Sequence, residues 1–292
     1  LALGSHGDVE FVTRAGRVRP VEVASLIVSH LCMRSEVTEP NDLATVVAVP
    51  TLFQDHARRA TLEAMNRAGF ADVRVIEEPV ATAIAYLQRA SLRYAAVYDF
   101  GGGTFDLAII DCTHFPFRVI GSEGDPYLGG DDIDHALAEM VCQRVLRSAG
   151  WDLRSEPITF ARLTLACEQA KCELAEQEVA RLDIAAIDPA APPSLTEVLV
   201  DRTMLDAAAG PLIRRTFGHC DAVLAKAGLR AREVQAVFLA GGSSRLRILQ
   251  SMVSEYFARK LRCDMDPEHV VALWASIAAA RPELWPLLEN PG

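Results

Sequence analysis

The sequence has no CxxC pair, no metal-ligand spacing among its histidines, no low-complexity linker and a shortage of positive charge. Its seven cysteines are odd in number, which argues against a disulfide framework or a zinc site and for a reducing cytosol, hence a cytoplasmic protein. The longest apolar candidate, residues 270–280, is too short to span a bilayer and is followed by Pro282. No signal peptide is recognisable, and a start at Leu1 rather than Met leads to the expectation of a fragment. Lys and Arg number 29 against 39 Asp and Glu, a formal charge of −10, which argues against a grip on nucleic acid or an anionic membrane. A phosphate ligand stays open, because backbone amides and a metal ion hold one locally.

What is present is a 292-residue chain, half of it hydrophobic, with room for about two domains at roughly 150 residues each. Apolar spacing predicts a mixed α/β chain. Helices are expected over 20–33, with Val23, Leu26, Ile27 and Leu31 on one face, over 55–68 capped by Asp55, and from Pro79 to about Arg89. Others are expected over 131–150, 157–176, up to Gly228 with a break at Gly210 and Pro211, from Gly242 to Lys260, and after Pro267. Strands are expected over 43–49, 73–76, 94–100, 104–111, 117–120, 179–187, 195–200 and 234–240. One construction occurs twice, an apolar strand running into glycines and then a hydroxyl residue, at 94–104 and 237–244. Two such turns could face each other across a cleft.

The strongest local signal is Asp99-Phe100-Gly101-Gly102-Gly103-Thr104-Phe105-Asp106. Three glycines allow a tight turn whose N–H groups converge on phosphate oxygens, with the Thr104 hydroxyl added. Asp99 and Asp106 flank it in apolar strands, where a carboxylate is costly unless paired, and a hydrated Mg²⁺ would pair with it. A glycine hairpin with solvated aspartates is the plainer reading. No Gly-Lys-Ser/Thr follows, so this is not a P-loop. Glu78, before Pro79, either orders a water near a metal or is a charge at a helix start. Leu128–Asp134, containing Gly130, either offers backbone to phosphate or is only a helix start. Glu168 and Lys171 share a helix face, where alone they read as an exposed ion pair. Gly241-Gly242-Ser243-Ser244-Arg245 is a strand-to-helix turn suited to phosphate, or to the ribose and base of a nucleotide.

Taken in order from about residue 10 to 281, these motifs, with Val46–Pro50 and Asp266-Pro267-Glu268, resemble the ATPase domain of the seventy-kilodalton heat-shock (DnaK-like) chaperone family. The resemblance implies an actin-like ATPase (ribonuclease H-like) two-lobed α/β fold, N-terminally incomplete, with residues 1–90 the remainder of the first lobe. Residues 91–292 would form the second lobe, with the nucleotide cleft and an adenosine-binding subdomain. It implies ATP or ADP with Mg²⁺ as cofactors, and Asp99 and Asp106 on the Mg²⁺ through water. Gly101, Gly102, Gly103 and Thr104 would be a phosphate loop joined by Gly130, and Glu78 the carboxylate of the catalytic water. Glu168, Lys171, Gly241, Gly242, Ser243, Arg245 and Glu268 would line the adenosine side, and Pro50 and Arg58 match positions that relay the nucleotide state.

The family also has a first phosphate loop and a catalytic lysine without counterpart in this sequence, so the chain alone is expected to turn ATP over poorly. Leu52 stands for an aromatic, Cys172 and Ala175 for residues beside adenine, Glu268 for an aspartate and Trp274 for a glycine. The Cys172 and Ala175 exchanges predict a looser hold on adenosine. The expected function is a chaperone ATPase domain assisted by co-chaperones, a J-domain protein and a nucleotide exchange factor. Unfolded polypeptide is a partner only through a peptide-binding domain outside these residues. The alternatives are a non-hydrolysing regulator on the same fold, or an actin-like filament protein.

Overall fold

The computed structural model describes residues 10–13, 16–35, 39–51, 53–87, 92–114, 117–262 and 265–281; Leu52, Arg89 and Cys263 lie outside them. A short antiparallel ribbon, β1 (Phe11–Thr13) and β2 (Gly16–Val18), leads into α1 (Pro20–Arg34). Pro20 starts that helix where a missing N–H costs nothing. After β3 (Thr45–Val49), α2 (Asp55–Arg67) packs on α1. Asp55 is the first helical residue of α2, and Gln54 occupies the cap. The face of α1 that touches α2 carries Val28 and Cys32, against Met65 and Phe70. The expected apolar face is open instead: Leu26 is 67% and Leu31 56% exposed. β4 (Val73–Glu77) pairs parallel to β3 and passes without a loop into α3 (Glu78–Leu87).

The main sheet begins with a meander, β5 (Tyr94–Phe100), β6 (Phe105–Asp111) and β7 (Arg118–Asp125), all antiparallel. Two long helices follow, α4 (Gly130–Ala149), stopped by the left-handed Gly150, and α5 (Pro157–Glu173). An antiparallel pair, β8 (Val179–Asp183) and β9 (Glu197–Asp201), is separated by the single turn α6 (Ile184–Ile187). The strand expected over 179–187 therefore ends halfway, because Asp183 accepts the Ala186 amide at 3.1 Å and caps a helical turn.

α7 (Arg202–Ala227) runs unbroken through Gly210 and Pro211, against the expected interruption. Its buried face, with Leu205, Ala209, Ile213 and Val223, offsets the one backbone bond that proline removes. β10 (Ala236–Ala240) pairs parallel to β5. The described residues end in α8 (Arg247–Phe257), β11 (Leu261–Arg262) beside β10, and α9 (Val270–Ala279).

Strand order is thus β11-β10-β5-β6-β7, with helices on both faces. Alternation along β5 decides which residue meets which layer. Ala96, Tyr98 and Phe100 pack with Leu137, Ile213 and Val253 of α4, α7 and α8. Ala95 and Val97 turn the other way, towards Ala81 of α3 and Val270 and Trp274 of α9. Tyr98 is fully buried and satisfies its hydroxyl with Thr216 at 2.6 Å. The described cysteines Cys32, Cys112, Cys142, Cys167, Cys172 and Cys220 are free thiols. Among the described residues no helix is long and apolar enough to cross a membrane.

Candidate functional site

The two glycine turns lie side by side at one end of the main sheet, not across a cleft from each other. They close adjacent parallel strands, with Ala240 in register with Asp99. In the first, Gly101 donates its N–H to the Thr104 carbonyl at 2.9 Å, closing the β5–β6 hairpin. Phe100 and Phe105, opposite each other in register and fully buried, anchor it to the core.

The start of α4 locks this turn from one side. Gly130 N–H donates to the Gly101 carbonyl at 2.9 Å and Asp131 N–H to that of Gly102 at 2.7 Å, while Gly129 N–H is capped by Asp132 at 2.8 Å. These helix-start amides are engaged by the hairpin, so they brace the phosphate-type turn rather than face a ligand. Among the described residues, the amides of Gly102, Gly103 and Thr104 donate to no protein acceptor. A Cβ on Gly129 would lie 2.3 Å from the Gly102 carbonyl oxygen, so only glycine lets the two segments touch.

The second turn presses on the first. Gly241 has φ +80°, and a Cβ there would lie 2.4 Å from the Phe100 carbonyl oxygen and 2.6 Å from Asp99 Oδ1. A 3-10 turn over Gly242–Arg245 follows, with Ser243 buried against Gly130. Gly242 abuts the Glu268 carboxylate. Arg245, exposed, pairs with Asp266 at 2.5 Å and Glu268 at 3.7 Å. The Glu268 amide, His269 and Arg245 hold Asp266 down at about 2.

Three carboxylates meet beneath the hairpin. Alternation points Asp99 towards α3, Asp106 is its cross-strand partner, and Glu78 opens α3, so Glu78, Asp99 and Asp106 line one small cavity with Pro50 and Thr51. Burial first, then the charges of Asp99 and Asp106, push Glu78 up to about 8. Burial and Asp106 push Asp99 up to about 7, and burial pushes Asp106 up to about 6. The charges acting on Glu78 and Asp99 are those of their fellow carboxylates. Such a set suits a hard divalent cation. Among the described residues no group of three His, Cys, Asp or Glu is placed to ligate a metal directly.

On the adenosine side expected from the sequence, Lys171 is buried and does not form a surface pair with Glu168. Its Nζ donates to Asp134 Oδ2 at 2.7 Å and to the Gly130 carbonyl at 3.2 Å. Glu168 stands one turn earlier on the exposed side of α5, and Cys172 is exposed beyond Lys171. Asp131 and Asp134 lie within the Leu128–Asp134 motif, which gives their side chains no site role of their own. The spacing of Gly130 and Asp134 by four, which sets them on one helix face, is the signal that carries the latter.

Sequence comparison adds one family match and three relatives. The family described as "Hsp70 protein" matches residues 5–281. A chaperone protein HscA homolog of Acidithiobacillus ferrooxidans is 36% identical over 278 residues, 94% of this chain and 43% of that one. One of Variovorax paradoxus is 38% identical over 275 residues, 94% and 43% of the two chains, and the chaperone protein HscA of Edwardsiella ictaluri is 35% identical, covering 94% and 42%. The chain thus spans less than half the length of these curated relatives.

Proposed function

The chain belongs to the Hsp70 family, with the actin-like ATPase fold of that family, and on this premise we propose that it forms the nucleotide-binding part of a chaperone's ATPase domain. The observation that carries the reading is the pairing of two unmet demands at one end of one sheet. Among the described residues the amides of Gly102, Gly103 and Thr104 donate to no protein acceptor, and burial raises the clustered carboxylates of Glu78, Asp99 and Asp106. Phosphate with its cation meets both.

In this reading Gly101, Gly102, Gly103 and Thr104 hold phosphate oxygens, and Gly130 keeps them in place. Asp99 and Asp106 hold Mg²⁺ through its waters. When bound, the ion supplies charge neutralisation at the phosphates. Glu78 accepts, at its carboxylate, a hydrogen bond from the water that attacks. Gly241, Gly242, Ser243, Arg245, Glu268, Glu168 and Lys171 form the nucleoside side. Residues 1–90 and 91–292 divide into the two lobes, and co-chaperones are the partners of the whole protein, which works in the cytoplasm. No observation favours the non-hydrolysing regulator or the filament.

Asp99→Asn and Asp106→Asn test the assignment by calorimetry with ATP. Both weaken binding in Mg²⁺ by about tenfold or more, and change binding in EDTA little, because they act through the ion. Equal losses in both conditions contradict it.

A further inference from the structure

A groove on the outer surface has no role in the reading above. It opens where the second half of α4 meets the start of α7, at the end of β9, and holds about 700 Å³. α4 turns Leu137, Val141 and Val145 into the core, so helical spacing leaves Met140, Arg144 and Arg147 together at the groove. α7 likewise buries Leu205 and Ala209 and brings Met204 to the groove. The half-buried Met140 and Met204 give it an apolar lining. Methionine, unbranched and polarisable, adapts to whatever side chain is laid on it.

Both arginines are exposed. Arg144 is held in place, its Nη1 donating to the Leu199 carbonyl at 2.8 Å and lying 3.8 Å from Met204 Sδ. Among the described residues neither Arg144 nor Arg147 meets a carboxylate, in a chain whose formal charge is −10. Asp201, which also lines the groove, is engaged as the cap of α7 and accepts the Met204 amide at 2.8 Å. α7 carries no acid in its first turn, so the positive end of that helix adds to the two guanidinium charges. Arg147 also suits the negative end of α4, which explains its own charge but not Arg144 or the methionines beside it.

We propose that this groove is a docking surface for an acidic peptide segment of a partner protein, whose carboxylates pair with Arg144 and Arg147 while an apolar side chain rests on Met140 and Met204. Charge complementarity decides the partner. The planar fork of arginine takes a carboxylate through two parallel hydrogen bonds. Nucleic acid and an anionic membrane fit less well, because the charge of −10 repels them and two cations release few counterions. The surface is independent of the nucleotide reading, since Met140 and Arg147 lie roughly 15 to 25 Å along α4 from Gly130 at the helical rise.

The test is fluorescence anisotropy of the 292-residue chain with two labelled peptides, one of alternating glutamate and leucine and one with glutamine for each glutamate. The unmodified chain holds the glutamate peptide about tenfold more tightly, and the margin shrinks as salt rises. Arg144→Gln with Arg147→Gln abolishes the margin. Gln143→Glu, which keeps both arginines but sets a competing carboxylate at the groove, cuts it. Met204→Ala weakens both peptides alike. If Arg147 serves only the helix end, the two peptides bind alike and the double variant merely melts lower. Equal affinity for the two peptides, or a margin that survives in the double variant, overturns the proposal. So does an oligothymidylate that binds more tightly than the glutamate peptide and is lost in the double variant, which gives the groove to nucleic acid. A dimer in sedimentation that the double variant abolishes gives it to a second copy of this chain, and overturns the proposal too.

Discussion

Glu78, Asp99 and Asp106 are held well above the ordinary carboxylate range because burial strips each of hydration and, for Glu78 and Asp99, neighbouring carboxylates add like charge. That has a pH consequence for the ligand-free chain. Well below the ordinary carboxylate values of 3.8 and 4.5 the three are protonated in both folded and unfolded chains. As pH rises from there towards 8, the unfolded carboxyls ionise while the folded ones keep their protons. The folded state then binds more protons, so stability falls with pH, and the loss is complete only above the folded value of about 8 for Glu78. Glu78→Gln removes its share of that loss. In denaturant titrations the variant gains on the order of 2 kcal/mol over the unmodified chain at pH 8.5, and nothing at pH 4. An equal difference at both pH values contradicts the burial account. At this scale the sequence was readable: two aspartates in apolar strands and a glutamate before a proline needed only their residue types to be noticed. The spacing from Gly130 puts Asp134 on one helix face with it, but its partner Lys171 arrives from another helix, and that pairing is not visible in the spacing.

At the scale of elements, the site is two turns and a helix start pressed together by glycine. Gly241 combines φ +80° with a Cβ position 2.4 Å from the Phe100 carbonyl oxygen. Gly150 has a similar φ of +66° and nothing within 4 Å, so it serves as a control for backbone strain alone. Gly150→Ala costs about 1–2 kcal/mol, and Gly241→Ala costs about 2–5 kcal/mol because overpacking adds to strain. Urea midpoints at equal slope measure both; a Gly241→Ala cost no larger than that of Gly150→Ala means the turns do not press on each other. The glycine turns were legible as turns, since apolar strands ran into them. Their adjacency was not, because it follows from the parallel pairing of β10 with β5 across the 135 positions between Phe100 and Ala236. The unbroken α7 and the halved strand at 179–187 show the same limit. Tertiary burial carried the helix through Pro211, and one capping bond from Asp183 outweighed a run of β-prone residues.

For the whole molecule, the sheet order β11-β10-β5-β6-β7 puts phosphate-type amides at the mouth and carboxylates below them. The glycines keep the amides bare, and the alternation of β5 and β6 sends the carboxylates to the face covered by α3. Composition could not show this: a charge of −10 argued against nucleic acid and an anionic membrane and left a phosphate ligand open. The apolar face of α1 was read correctly as a pattern, yet it is exposed, because pattern says that a face is apolar and not what covers it. The central claim is that the amides and the carboxylates serve one ligand, a nucleotide carried with its metal ion. The direct measurement is a calorimetric titration of the unmodified 292-residue chain with ADP, in Mg²⁺ and again in EDTA. The account predicts binding that Mg²⁺ strengthens by about tenfold or more, with protons released at pH 7 as the raised carboxyls ionise on meeting the cation. Binding that is indifferent to Mg²⁺, or no binding in either condition, would contradict it.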